Sequence, residues 1–402
     1  MSYPSSLKHF ISGVLQASKN TYELATQTNR AEVLNGGTIS VNLPSNTIIN
    51  FDSLMMKFDY VTSDTSAVPD SAHDLIQRLE LLANGRPIAV INNYNHVYKL
   101  LQTFTGEDHS KKRKVLEGGA SGPTLADGPI RMYLTNMLGL SSIKPSMLDT
   151  GLIGNLELRL QLASRNISPG TGTDVAPVSV DFKLKNISFL CETIQLPSVY
   201  YEAHQAVLNQ GGSLPVLLDT YRVITQSGVN SANSTTRFSV SSQSINWILA
   251  SKIPYFNAAQ GNAIANDPNR SWVFKRDGSD LDRWRIKVNN QEYPNYSSDN
   301  KDAWFESQKV ANILNDTLGG VDPKIVTTDD FLSKYWVCGC SLSIPNSGSD
   351  RFISGLNSEG SAVEVEFTAS GNGAGSETTD LVVVGMTSAL NVFAGKQIEL
   401  ID

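Results

Sequence analysis

Arg78-Leu79-Glu80-Leu81-Leu82-Ala83-Asn84-Gly85 and Arg283-Trp284-Arg285-Ile286-Lys287-Val288-Asn289-Asn290 follow one pattern, 205 residues apart. In the first, Leu79, Leu81 and Ala83 alternate with Arg78, Glu80 and Leu82; in the second, Trp284, Ile286 and Val288 alternate with Arg283, Arg285 and Lys287. A period of two places each apolar set on one face of a strand, and each run ends in a turn pair. Leu158, Leu160 and Leu162 stand to Val363, Val365 and Phe367 at the same separation of 205. One offset at two separated places implies two tandem copies of one β-domain.

The 402 residues suffice for two or three domains, each with its own core. Charged residues make up only 18%, and polar weight sits in Ser, Thr, Asn and Gly, which favours many short strands joined by turns. A net charge of −7 argues against a surface that binds nucleic acid as a whole. No stretch approaches the ~20 apolar residues of a membrane-spanning helix, and residues 1–20 lack the features of a secretory signal. The five Asn-x-Ser/Thr sequons, at Asn166, Asn186, Asn233, Asn295 and Asn315, are therefore expected to be unmodified. Three cysteines cannot form a disulfide framework; Cys338 and Cys340 share one strand face and read as buried thiols.

Along the chain, residues 5–20 have helical spacing, and strand patterns follow over 38–61 and around Leu79. A helix with Tyr94, Val97, Tyr98, Leu101 and Phe104 on one face comes next. Strands resume at 130–134, 156–162 and 178–194. After a linker containing Leu214 to Leu218, the second copy repeats the plan, with a helix at 304–318 where the first copy has the Tyr94 helix. Pro145 and Pro345 mark similar corners, and 381–384 is the last main strand. Each half thus holds about eight strands and one inserted helix. The expected fold is mainly β: two tandem eight-stranded jelly rolls, each with a helix inserted, plus an N-terminal helical arm. The expected divisions are 1–37 for the arm, 38–197 for the first roll, 198–234 for the linker and 235–402 for the second roll.

Chemistry-bearing motifs are scarce. No dinucleotide or phosphate-binding glycine loop occurs, and Gly118-Gly119-Ala120-Ser121-Gly122 does not fit a nucleophile elbow. His73 between Asp70 and Asp74 reads as a solvated loop ahead of a strand. Asp277, Asp280 and Asp282 lack the spacing of a calcium-binding loop. The run Lys111-Lys112-Arg113-Lys114, flanked by Glu107, Asp108 and Glu117, reads as a surface loop. No catalytic residue, cofactor or metal ligand is assigned.

The N-terminal helix has two readings. Leu7, Phe10, Ile11, Val14 and Leu15 form an apolar stripe with Lys8, His9 and Lys19 beside it. The stripe either packs on the first domain or forms an arm of ~15 residues, ~23 Å long, that clamps a neighbour or lies on a membrane.

Several features together resemble the double jelly-roll major capsid proteins of tailless, internal-membrane icosahedral viruses, the lineage of the adenovirus hexon. They are the paired strand-turn-helix segments 78–104 and 283–318, the linker residues Leu214-Pro215-Val216-Leu217-Leu218-Asp219, and the helix before the first roll. The length suits the smaller phage members. The resemblance implies a structural protein without enzymatic activity, a homotrimer whose six rolls give a pseudo-hexameric capsomer. It also implies contacts with neighbouring capsomers, with vertex and minor capsid proteins, and with an internal lipid membrane, but no sequence-specific nucleic acid. Such a protein resides in the virion capsid and is assembled in the host cytoplasm. The competing reading is a carbohydrate-binding or carbohydrate-active jelly roll, which needs two carboxylates ~5–10 Å apart in a groove with aromatic platforms beside them. A spike or fibre domain ranks below both, because it needs no internal duplication.

Overall fold

Strand-like alternation in the sequence becomes a ladder of antiparallel pairs in the computed structural model of the chain. It describes residues 18–27, 32–62, 71–102, 116, 128–134, 147–164, 181–196, 198–230, 233–254, 276, 278, 281–318, 328–343, 355–358, 362–368 and 377–401.

In the first half the elements run β1 (Ser18–Ala25), β2 (Glu32–Leu34), β3 (Thr38–Asn42), β4 (Ile48–Thr62), β5 (Ile76–Ala83), β6 (Arg86–Asn92) and helix α1 (Tyr94–Gln102). After these come β7 (Gly128–Tyr133), β8 (Met147–Asp149), the single turn α2 (Thr150–Ile153), β9 (Leu156–Leu162) and β10 (Phe182–Gln195). Helix α3 (Ser198–Asn209) then leads into the second half. There the strands are β11 (Leu214–Asn230), β12 (Ser234–Ser239), β13 (Ile245–Pro254), β14 (Arg283–Val288) and β15 (Gln291–Ser298). Helices α4 (Asn300–Leu318) and α5 (Thr328–Lys334) precede β16 (Cys338–Ser341), β17 (Ala362–Thr368), β18 (Glu377–Phe393) and β19 (Gln397–Ile401).

The first half forms two sheets, ordered β1-β10-β4-β7 and β3-β9-β5-β6; the second forms β11-β18-β13-β16 and β12-β17-β14-β15. The orders correspond term by term. Each half is a jelly roll of eight strands in two four-stranded sheets, and β2, β8 and β19 are additions at the sheets' flanks. The helices occupy one place in both rolls: α1 follows β6, and α4 follows β15.

The duplicated segments turn out to be hydrogen-bonded neighbours, since β5 pairs with β9 and β14 with β17. Leu79, Leu81, Leu158 and Leu160, and likewise Trp284, Ile286, Val363 and Val365, are buried in the core. Burying a side chain of this size contributes ~1.5–3 kcal/mol. The register differs by two residues between copies: Leu79 faces Leu160, whereas Trp284 faces Phe367 and not Val365. A slip of two keeps every side chain on its own face, so the cores survive it. Both turn pairs sit in left-handed backbone, with φ of 50° and 81° at Asn84 and Gly85 and of 55° and 62° at Asn289 and Asn290. Two such residues match the twist of a two-residue hairpin.

Two expected boundaries move. The helix read over 5–20 does not reach its end: Ser18, Lys19 and Asn20 lie in β1, opposite Gln195, Ile194 and Thr193 of β10. β10 has 14 residues, and β1 and β2 pair along its edge and satisfy its backbone groups. The first roll therefore takes in β1 and β2, and residues 1–17 lie outside the described residues. Most of the expected linker 198–234 is structure as well. β11 runs for 17 residues beside β18, with Leu218 and Tyr221 buried and Val216 packed on the core, so the second roll begins at Leu214. The Pro145 and Pro345 corners and Phe104 fall outside the described residues.

Candidate functional site

The expected solvated loop at His73 is instead a buried joint. Ser71 caps the 3-10 turn Ala72–Leu75: its Oγ accepts from the His73 N–H (3.3 Å), and Asp74 Oδ2 accepts from the Ser71 N–H (3.2 Å). His73 Nδ1 lies 2.7 Å from Tyr94 Oη, its ring stacks on Tyr98 at 3.7 Å, and Lys99 Nζ reaches Asp74 Oδ2 at 3.2 Å. His73 and Asp74 are buried, so these groups tie the start of β5 to helix α1. Asp70 lies outside the described residues.

A second buried polar cluster occupies the second roll. Lys252 Nζ sits 2.8 Å from Asp380 Oδ1, 2.7 Å from Ser234 Oγ and 4.8 Å from the Phe367 ring centre. Ser234 and Thr236 donate to Asp380 Oδ2 at 2.7 and 3.0 Å. Lys252 and Asp380 face each other directly across β13 and β18. Burial pulls the Lys252 pKa down, and the Asp380 carboxylate opposes that pull. In the first roll, across the equivalent strands β4 and β10, Tyr60 and Leu184 face each other and are both buried. One architecture thus holds its core by two chemistries.

The outer face of the β12-β17-β14-β15 sheet is a lattice of ion pairs. Arg285 binds Glu366 through Nε and Nη2 (2.7 and 3.0 Å) and Glu292 through Nη1 (3.1 Å), while Arg237 and Lys287 reach Glu364. Arg285 holds the Glu366 carboxyl below its ordinary pKa. Trp247, Trp284 and Trp336 are buried, and Trp304 packs edge-on against Phe331. The tryptophan platforms that a sugar groove needs are therefore taken up in packing, and Trp272 lies outside the described residues. The carbohydrate reading finds no support. Cys191, Cys338 and Cys340 are buried thiols, and burial pushes the Cys191 thiol up to about 12, far from a reactive thiolate. Among the described residues no group of three or more His, Cys, Asp or Glu is placed to hold a metal, and no helix is long and apolar enough to cross a membrane.

The two rolls meet where β6, an edge strand of the first, runs alongside β11, an edge strand of the second. Next to that line, Asn84 Nδ2 donates to the Lys396 carbonyl (3.2 Å), Arg86 Nη1 to the Ile398 carbonyl (3.5 Å), and Lys396 Nζ to Asn46 Oδ1 (3.2 Å). A groove of about 980 Å³ opens there between Arg86 and Ile88 on one wall and Phe393 and Leu400 on the other. His96 of α1 lies close enough to Arg276 of the second roll that burial, with help from the guanidinium, lowers its pKa to about 4.

Of the residues singled out in the sequence, Lys19 is on β1, exposed, with Nζ 2.8 Å from Glu192. Leu7, Lys8, Phe10, Ile11, Val14, Leu15 and the run Lys111–Lys114 lie outside the described residues. Sequence reasoning missed the Lys252–Asp380 pair. Its signal was a charge at an inward position of the Ile248, Ala250, Lys252 alternation.

No family model matches the chain, and no curated protein matches its sequence. Known structures do match its fold. VP54 of the virus PBCV-1, in a crystal structure fitted into a reconstruction of the virophage Sputnik, is similar over 96% of this chain and 97% of its own, at 14% identity and a TM-score of 0.64. A chain of the PBCV-1 virus capsid is similar over 96% and 97%, at 13% identity and a TM-score of 0.63. The Faustovirus major capsid protein is similar over 94% of this chain and 91% of its own, at 10% identity and a TM-score of 0.63. The chain has the double jelly-roll fold over nearly its whole length.

Proposed function

We propose that this chain is a viral major capsid protein. It assembles as a homotrimer, a pseudo-hexameric capsomer that tiles an icosahedral shell, and its work is assembly without catalysis. One observation carries the reading: two rolls of identical strand order sit in tandem in one chain, over more than nine-tenths of the length of proteins described as viral capsid components. Three chains with two near-equal rolls each present six similar corners around a threefold axis. Lateral contacts between such blocks, individually weak, close a shell through their number. The buried cysteines and the ion-paired outer sheet fit a passive, robust tile.

In this reading the protein resides in the virion, is assembled in the host cytoplasm, and meets vertex and minor capsid proteins at the rim of each capsomer. Residues 1–17, with the stripe Leu7, Lys8, Phe10, Ile11, Val14 and Leu15, reach an internal lipid membrane or a neighbouring capsomer. Lys19 marks where the arm joins β1.

Light scattering on the purified chain tests the reading: a stable trimer is expected, and a persistent monomer at micromolar concentration overturns it. Deleting residues 1–17, which spares β1 and β2, is expected to leave a folded trimer that fails in shell assembly or membrane attachment. Normal assembly by the truncated chain removes the role given to the arm.

A further inference from the structure

The junction inside the chain specifies a junction between chains. Each of the four sheets ends in two edge strands; β1 and β6 are among those of the first roll, and β11 and β15 among those of the second. Two of them, β6 and β11, are brought together within the chain. The repeat makes β1 the counterpart of β11 and β15 the counterpart of β6, so β1 and β15 offer the same two kinds of edge as the pair that meets inside the chain. Burial reflects the difference. β6 buries Ile88, Ala89 and Ile91, whereas β15 is exposed along most of its length and buries only Ser298. β11 has Leu218 and Tyr221 buried, whereas β1 is exposed at every residue except half-buried Leu24.

We propose that β1 of one copy docks against β15 of the next, repeating between chains the contact that β11 and β6 make within one. The proposal rests on the trimeric reading above and names the surface that builds the trimer. An open edge strand invites pairing, and a soluble chain leaves one uncovered at a cost in specificity. Each of these two strands carries an exposed aromatic at the proposed seam: Tyr22 on β1 is 42% exposed and Tyr296 on β15 is 46% exposed. Tyrosine is enriched at protein interfaces because its ring buries area while its hydroxyl stays satisfied. Tyr296 already meets that condition, since its hydroxyl donates to Glu306 at 2.7 Å. The contact joins two different surfaces, so it is heterologous, and repeating it around an axis closes a ring. Every second junction in that ring is then the covalently linked one.

The test uses two variants of the full chain, Tyr22→Arg and Tyr296→Arg, with Val207→Arg on exposed α3 as control. Each of the first two is expected to convert the trimer to monomer in light scattering with an unchanged circular dichroism spectrum, and the control to stay trimeric. If either fails to fold, Asn20→Arg or Asn295→Arg, both at exposed positions on the same strands, replaces it. Mixing the two monomeric variants leaves one intact combination, the native β15 of the first with the native β1 of the second. The mixture is expected to give a two-chain species on chemical cross-linking and nothing larger. Variants that remain trimeric overturn the proposed surface while leaving the capsomer reading intact. A mixture with no more two-chain species than either variant alone also overturns it. A wild-type chain that is itself monomeric overturns the capsomer reading instead.

Discussion

Lys252 and Asp380 form an ion pair with almost no contact with water, and its value lies in what happens when half of it is removed. A buried pair contributes little net stability, because desolvation offsets most of the attraction; a single orphaned charge is far costlier. Lys252→Met leaves Asp380 with only the hydroxyls of Ser234 and Thr236. The expected loss is ~3–5 kcal/mol, read from the denaturation midpoint. Replacing both charges by apolar groups of similar volume leaves no orphan and supplies the control. The double variant Lys252→Met with Asp380→Leu is expected to recover most of the loss. A single variant within ~1 kcal/mol of wild type would mean that water reaches the pair.

At the scale of elements, β18 is held by its neighbours on both sides. Gly385 lies between Tyr221 of β11 and Trp247 of β13, and the Trp247 ring leans over it to meet Tyr221 at 5.8 Å between ring centres. A methyl group on Gly385 would run into the indole ring of Trp247. Gly385→Ala is therefore expected to cost ~1–3 kcal/mol by overpacking, and Gly385→Val more, in the same denaturation measurement. If Trp247→Leu in the Gly385→Ala background restores stability, the ring is the cause. The sequence shows this strand only in part. Leu381 to Val384 reads as a strand because it is a β-branched run, but β18 spans 17 residues from Glu377, and its burial on both faces removes the alternation that marks a half-exposed strand. β1 fails to show for the opposite reason: Ser18-Lys19-Asn20-Thr21-Tyr22-Glu23 is exposed on both faces, so no apolar period exists to read. The segments around Leu79 and Trp284 were legible because Arg78-Leu79-Glu80-Leu81 and Arg283–Val288 bury alternate residues and each strand ends in a two-residue hairpin. The His73 joint was not legible, because its partners Tyr94, Tyr98 and Lys99 come from a helix 20 residues on, whose packing over the turn is a tertiary fact.

Across the whole molecule, acid acts in two separate windows. Glu23, Glu32 and Glu366 all have pKa values held down, chiefly by hydrogen bonds from Lys57, Lys183 and Arg285, so what they contribute is present above the ordinary carboxyl pKa and lost as pH falls through their lowered values. His96 acts earlier. Its pKa falls from 6.5 to about 4 on folding, so between those values the unfolded chain binds the proton that the folded chain excludes. Its contribution is complete above pH 6.5 and drains away toward pH 4 as an imidazolium is forced towards the Arg276 guanidinium. Because His96 belongs to one roll and Arg276 to the other, this loss falls on the contact between the two, while each roll keeps its own core. Between pH 7 and 5 the Tm of wild type is expected to fall further than that of His96→Asn, by on the order of 2 °C. The two curves should become parallel only well below pH 4, where the folded chain also carries the His96 proton and carboxylates alone titrate. Equal slopes from pH 7 to 5 would show that His96 is already solvated in the folded chain, and the coupling between the rolls would then rest on the β6–β11 contact and the Asn84, Arg86 and Lys396 hydrogen bonds.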